Sequence, residues 1–194
     1  VSQLVQADQN EFIDGIILHI DGPGGAVNAA APFVEFARSK SKPLVALCDQ
    51  AASLHYWIAA SCDAIIADNN VSSAFGSVGT MVAFADQRKR LEEMGITFHE
   101  IYAPESTHKN ESFRLALEGK YDKIKEEHLS PIAKKFQSFV RDNRPNLKEE
   151  TGVLTGKMFY ADQALELGMI DDIGNMQTAV ERVLMLNELN QVNP

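Results

Sequence analysis

A chain of 194 residues has the length of one domain, 1–194, and can bury about two-thirds of its unfolded surface in a single core. The formal charge is −9, and the densest basic stretch, "DQRKRLEE", is flanked by its own acids, which excludes nucleic acid as an expected partner. Five histidines lack HExxH or paired Cys/His spacing, and the two cysteines, Cys48 and Cys62, sit in apolar surroundings; no metal, no cofactor, and buried thiols in a reducing, cytoplasmic compartment are expected.

The start, "VSQLVQADQN", has no signal-peptide pattern and no initiator Met. The first strong pattern is "GIILHID", residues 15–21, a β-rich run closed by "GPGG". Phe33, Val34, Phe36 and Ala37 then fall on a helical stripe from about Ala30, with Pro32 tolerable in the first turn. A second strand–turn–helix unit follows at once. "KPLVALC" reads as a buried strand, "DQAA" follows it, and a helix from about Ser53 carries Leu54, Trp57, Ile58 and Ser61 on one stripe.

"DAIIAD" predicts a third strand, "GSVGTM" a glycine-flanked turn, and "FADQRKRLEEMG" a charged amphipathic helix ending at Gly95. "ITFHEIYA" predicts a fourth strand, and the polar stretch Pro104 to Lys120 a loop over the top of the sheet. Ile124, Leu129, Ile132, Phe136, Phe139 and Val140 trace a helix to about Asn143, kinked at Pro131. The closing segment predicts a short helix, a strand and a final helix. Alternating strands and helices imply an α/β fold with a mainly parallel sheet and right-handed crossovers.

Three features carry chemistry. Glycine turns between a strand and a helix present free backbone N–H groups, so "DGPGG" is a phosphate cradle, an oxyanion hole or a plain tight turn. No GK[ST] follows it and Pro23 removes one donor, which weakens the phosphate reading. Ser53, at a strand–helix junction, is either a nucleophile beside a helix N-terminus or a helix N-cap worth about 1 kcal/mol.

A serine nucleophile needs a base. His55 lies two residues on and is expected to point away from the hydroxyl, and His99 and His108 have no evident acidic orienter. The other solution is a lysine, and "PESTHKNES" offers Lys109, which taken alone reads as solvated surface. A lysine base must release its proton near neutral pH, a shift from about 10.4 towards 7 or 8 that costs about 4 kcal/mol. Only an occluded, water-poor pocket supplies that.

The blocks "GIILHIDGPGG", "KPLVALCDQAASLHYWIAASCDAIIA", "AFGSVGTM", "GITFHEIYAPESTHKN" and "LTGKMFYADQALELGMIDDIGN" together resemble the signal peptide peptidase A family. These are serine–lysine peptidases of the Clp protease/crotonase-like fold. The resemblance implies Ser53 as nucleophile and Lys109 as general base, with the N–H groups of Gly25 and Leu54 as the oxyanion hole. It further implies that Gly24 supports the turn and that Ser77 in "GSVG" holds the lysine ammonium.

Departures from the family pattern are specific. "ASGG" becomes Ser53 followed by Leu54 and His55, whose bulk is expected to narrow the substrate groove, and "DSPGG" becomes "DGPGG", with Gly22 in place of serine. "TGK" replaces the more frequent "GR", and the strand-rich region before residue 11 is short, so part of the sheet is expected outside this chain.

No apolar run approaches the roughly 20 residues that cross a bilayer, which favours the soluble phage-head branch of the family, whose members process scaffold and capsid proteins. The signal-peptide branch stays open. The expected partners are a peptide or unfolded protein substrate, and further copies of the chain that bury the pocket through the 121–143 helix and the C-terminal segment, about 150–194. Two alternatives remain: a crotonase-like acyl-CoA enzyme, for which no Glu or Asp pair is placed, and an inactive assembly module of the same fold.

Overall fold

The computed structural model describes residues 1–192; the last two residues of the expected C-terminal contact segment lie outside the described residues. The chain divides into two compact units, 1–79 with 135–194, and 80–134.

The first unit is built on a six-stranded sheet. A short helix α1 (Ser2–Gln9) leads to β1 (Ile16–Gly22), α2 (Ala30–Ser39), β2 (Leu44–Ala52), α3 (Leu54–Ala59), β3 (Ala64–Ala67) and β4 (Ala74–Gly76). β1, β3 and β4 all pair with β2 in parallel, β3 along its first half and β4 along residues 50–52.

β2 forms the centre because its residues are apolar on both faces, the pattern of a parallel strand covered on either side. Side chains alternate between faces with period two. Leu44, Ala46 and Cys48 enter the larger core with Tyr56, Phe75 and Phe136, while Val45 and Leu47 enter a smaller one with Ile66, Ala179 and Val183.

In the second unit, residues 80–134, α4 (Arg88–Glu93), α5 (Glu111–Leu117) and α6 (Asp122–Ile124) are short, and a π-helical turn spans Lys125–Leu129. α7 (Ser130–Asn143) carries the chain back to the first unit, which β5 (Met158–Tyr160), α8 (Ala161–Glu166), β6 (Asp172–Ile173) and α9 (Met176–Val192) complete. β5 is antiparallel to β4, and β6 parallel to β3.

Four expectations need correction. "ITFHEIYA", predicted as a strand, has no regular structure, and its residues are mostly exposed. A strand exists only where a neighbour completes its ladder, and this segment pairs with none among the described residues. The predicted loop 104–120 contains α5, which starts after Asn110 in a left-handed conformation, φ 56°. The charged helix begins at Arg88 rather than near Phe84. The long helical run is broken by the π turn just ahead of Pro131, where the missing proline N–H removes one rung of the α-helical ladder.

Candidate active site

Three parallel strands end side by side, and their carboxyl-end turns carry most of the singled-out residues. β1 runs into the Gly24–Gly25 turn, β2 into Ser53, and β4 into Ser77. In open α/β sheets this end of the strands is where ligands bind.

Ser53 has φ 52° and ψ −120°, a backbone conformation that costs a non-glycine residue about 1–3 kcal/mol and persists only where its surroundings over-determine it. Its N–H donates to the Gly76 carbonyl at 2.9 Å, and its own carbonyl accepts from Trp57 N–H at 3.0 Å. α3 is itself anchored: Tyr56 is fully buried and its hydroxyl donates to the Met169 carbonyl at 2.9 Å. The Trp57 ring stacks on Phe136 with centroids 4.4 Å apart.

The N-cap alternative fails on geometry. Capping side chains accept from the first-turn amides on an ordinary extended backbone, whereas Ser53 makes no side-chain cap bond and lies at positive φ. Its hydroxyl, half-buried, is left for other chemistry. A strained serine at a strand-to-helix turn is the arrangement that presents a nucleophile's oxygen at the edge of a sheet.

Gly24 makes the close approach possible. At φ 120°, an added Cβ would sit 2.8 Å from Ser53 Cβ and 3.2 Å from its hydroxyl oxygen. Among the described residues no acceptor meets the N–H of Gly25 or Leu54, so both remain available to an anion. The Gly24 N–H, by contrast, is occupied: it donates to His55 Nδ1 at 2.8 Å. Ser77 also has positive φ, 53°, and its N–H donates to the Lys157 carbonyl at 3.0 Å.

Lys109 belongs to the other compact unit. It is exposed, and it lines a cavity of about 690 Å³ with Tyr102, His108, Phe113 and His128. Among the described residues no acceptor or carboxylate holds its amine. Its neighbours are tied to one another instead. Glu111 accepts from Lys123 at 2.6 Å and pairs with His108 Nδ1 at 2.9 Å, and these partners hold its carboxyl low, at about 2. His108 thus has an acidic neighbour that spacing did not reveal.

His55 is the residue whose part sequence reasoning missed. The signal was present as two departures from the family pattern, Gly22 and His55, and they meet: a Cβ on Gly22 would lie 2.6 Å from His55 Cε1.

The described residues hold no His/Cys/Asp/Glu cluster able to bind a metal and no helix long and apolar enough to cross a membrane. A strained serine beneath a glycine turn with two unengaged amides is an arrangement that can support acyl transfer. A profile of peptidase family S49 matches residues 36–190. The chain belongs to peptidase family S49.

It is 26% identical over 195 residues to Protease 4 of Salmonella typhi, covering 98% of this chain and 31% of that protein. It is 24% identical to the head-tail preconnector protein GP5 of Enterobacteria phage P21, covering 98% of this chain and 38% of that one. The chain thus spans about a third of the length of these relatives. Among solved structures, a lysine-to-alanine mutant of the 1510-N membrane-bound stomatin-specific protease in complex with a substrate peptide matches with a TM-score of 0.52 at 15% identity, over 94% of this chain and 70% of that one. The fold is therefore the α/β fold of the Clp protease/crotonase type.

Proposed function

We propose that this S49 chain is a serine endopeptidase in which Ser53 attacks the scissile carbonyl and Lys109 accepts the hydroxyl proton. The amine then returns that proton to the leaving nitrogen, and water hydrolyses the acyl-enzyme. The N–H groups of Gly25 and Leu54 hold the developing oxyanion. The observation that carries the reading is the backbone of Ser53: an unfavourable conformation, a hydroxyl with no capping duty, and two unengaged amides beside it.

The substrate is an extended peptide segment. Among the described residues β1 pairs with β2 alone, so its other edge, next to the glycine turn, is open to a peptide that pairs backbone to backbone. The proposed cut lies beside small or apolar side chains.

A lysine base needs water excluded around its amine, and Lys109 is exposed in the single chain. The proposal therefore includes cover supplied by the bound peptide and by neighbouring copies. Met81, Phe98 and Ile101 of residues 80–134 are between 65% and 92% exposed, and apolar surface of that kind favours such an assembly. Relatives that include a bacterial protease and a phage head–tail protein support signal-peptide-like or scaffold-type substrates.

Casein turnover by wild type, Ser53→Ala and Lys109→Ala tests the assignment. Loss of proteolysis in both variants is expected, and equal proteolysis by all three overturns it.

A further inference from the structure

His55 follows the nucleophile by two positions, yet its ring reaches back across the site to the opposite turn. Two contacts define its place. Nδ1 accepts the Gly24 N–H at 2.8 Å, and the ring lies over Gly22, where an added Cβ would come within 2.6 Å of Cε1, 2.9 Å of Nδ1 and 3.0 Å of Nε2. An Nδ1 that accepts leaves the proton on Nε2, so the bond belongs to the neutral ring.

The turn needs such a brace. Gly22, Pro23, Gly24 and Gly25 include three glycines and one residue without an N–H, so the segment has little to hold it in one conformation. The Gly24 amide is the last donor before Gly25. Fixing it pins the Pro23–Gly24 peptide plane, so that only the two torsions of Gly24, itself packed at φ 120° against Ser53, stand between that plane and the direction of the Gly25 N–H.

We propose that His55 is a positioning residue: its neutral ring, seated on Gly22, holds the Gly24 amide so that the Gly25 N–H faces the developing oxyanion. The inference rests on the peptidase reading of Ser53 and adds to it a residue that touches neither substrate nor base. A preorganised donor acts in the transition state more than in the ground state. Loosening it therefore lowers kcat and leaves KM nearly unchanged.

The test is a steady-state comparison on a fluorescence-quenched peptide with alanine at the cut. His55→Ala is expected to lower kcat at least tenfold with KM within twofold. His55→Asn, whose Oδ1 can occupy the place of Nδ1, should recover at least threefold of that loss. Gly22→Ala displaces the ring and should match His55→Ala, and the double variant should fall no further than either. A wild-type kcat in His55→Ala, an asparagine variant no better than alanine, or a double variant with multiplied losses overturns the proposal.

Amide exchange supplies a readout without catalysis. In the Ser53→Ala background the Gly24 amide should exchange at least tenfold faster once His55 is also alanine; equal protection refutes the brace. Should Ser53→Ala itself cleave like wild type, the nucleophile assignment falls, while the exchange result still decides the role of His55.

Discussion

The amide of Ser53 donates to the carbonyl of Gly76 at 2.9 Å, so the serine's own N–H continues the β2–β4 ladder by one residue and is not available to an oxyanion. The pairing of Ala52 with Gly76 brings the chain to that point, and positive φ at both Ser53 and Ser77 turns the two strands outward immediately afterwards. The sheet thus fixes where the hydroxyl sits, and the proposed mechanism assigns the donor duty to the next residue, Leu54, and to Gly25.

From that division of labour the dyad variants follow. Ser53→Ala should reduce kcat/KM by at least about 10³-fold, and Lys109→Ala by a similar factor, because residues acting as one unit lose most of their effect together. The double variant should be no worse than either single one. Lys109→Arg should match alanine, since guanidinium does not release its proton. Peptide turnover with circular dichroism as a folding control measures this. Appreciable activity in the arginine variant removes Lys109 from the role of base.

Gly24→Ala probes the approach of the turn to the serine. The new Cβ would meet Ser53 Cβ at 2.8 Å and the Ala52 carbonyl oxygen at 3.1 Å, at φ 120°, so the turn must move away from Ser53. A displacement of about 1 Å at an acyl-transfer centre is worth about 10²-fold in rate. Turnover should drop by about that factor, while the thermal midpoint falls by only a few degrees, because the turn is near the surface. Turnover within threefold of wild type would show that the turn tolerates a side chain there.

The parts of this arrangement that the sequence disclosed are those set by local pattern. "KPLVALC" was legible as a buried strand because apolarity on both faces needs two covering layers, and α2 and α3 were legible from their stripes. Ser53 was ambiguous, since cap and nucleophile use the same residue at the same junction, and only its dihedral angles and missing cap bond speak against the cap. "ITFHEIYA" misled because β-rich composition does not supply a pairing partner, and α5 was hidden in a polar stretch whose helical start depends on Asn110 adopting a left-handed backbone. The bond from the Gly24 amide to His55 could not be read from spacing within one helix, because the two residues are 31 apart in sequence.

Arg144 is the ion that holds the rear of the first unit together. Only 7% exposed, it grips Asp171 through two bonds of 2.8 Å and donates to the Gly168 carbonyl at 3.2 Å, while Asp171 also accepts the Ile65 amide at 2.7 Å. Removing one partner of such a pair leaves the other without compensation, at a cost of about 3–5 kcal/mol. Arg144→Ala should lower the stability of the first unit by that amount in urea. Trp57, the sole tryptophan, reports the transition from its stacked position on Phe136. A change under 1 kcal/mol would mean that water replaces the guanidinium without penalty.

The buried thiol of Cys62 gives the fold an alkaline limit. Burial, reinforced by the neighbouring Asp63 carboxylate, pushes this group up from 9.0 to about 12, and its sulfur lies 3.6 Å from the Ile58 carbonyl, where a protonated thiol donates. In the unfolded chain the thiol ionises first, so above pH 9.0 the unfolded state binds fewer protons than the folded one. Stability must then fall as pH rises, by up to about 1.4 kcal/mol per pH unit for this one group. The contribution is complete below 9.0 and lost on passing about 12. Cys62→Ala removes the group while Cys48, raised by the same burial, remains. Its stability should therefore decline less steeply than that of wild type between pH 9 and 11, with a constant offset at neutral pH from the lost packing. Urea midpoints measured across that range decide the matter, and parallel curves for the two proteins would show that the folded state ionises Cys62 as readily as the unfolded chain does.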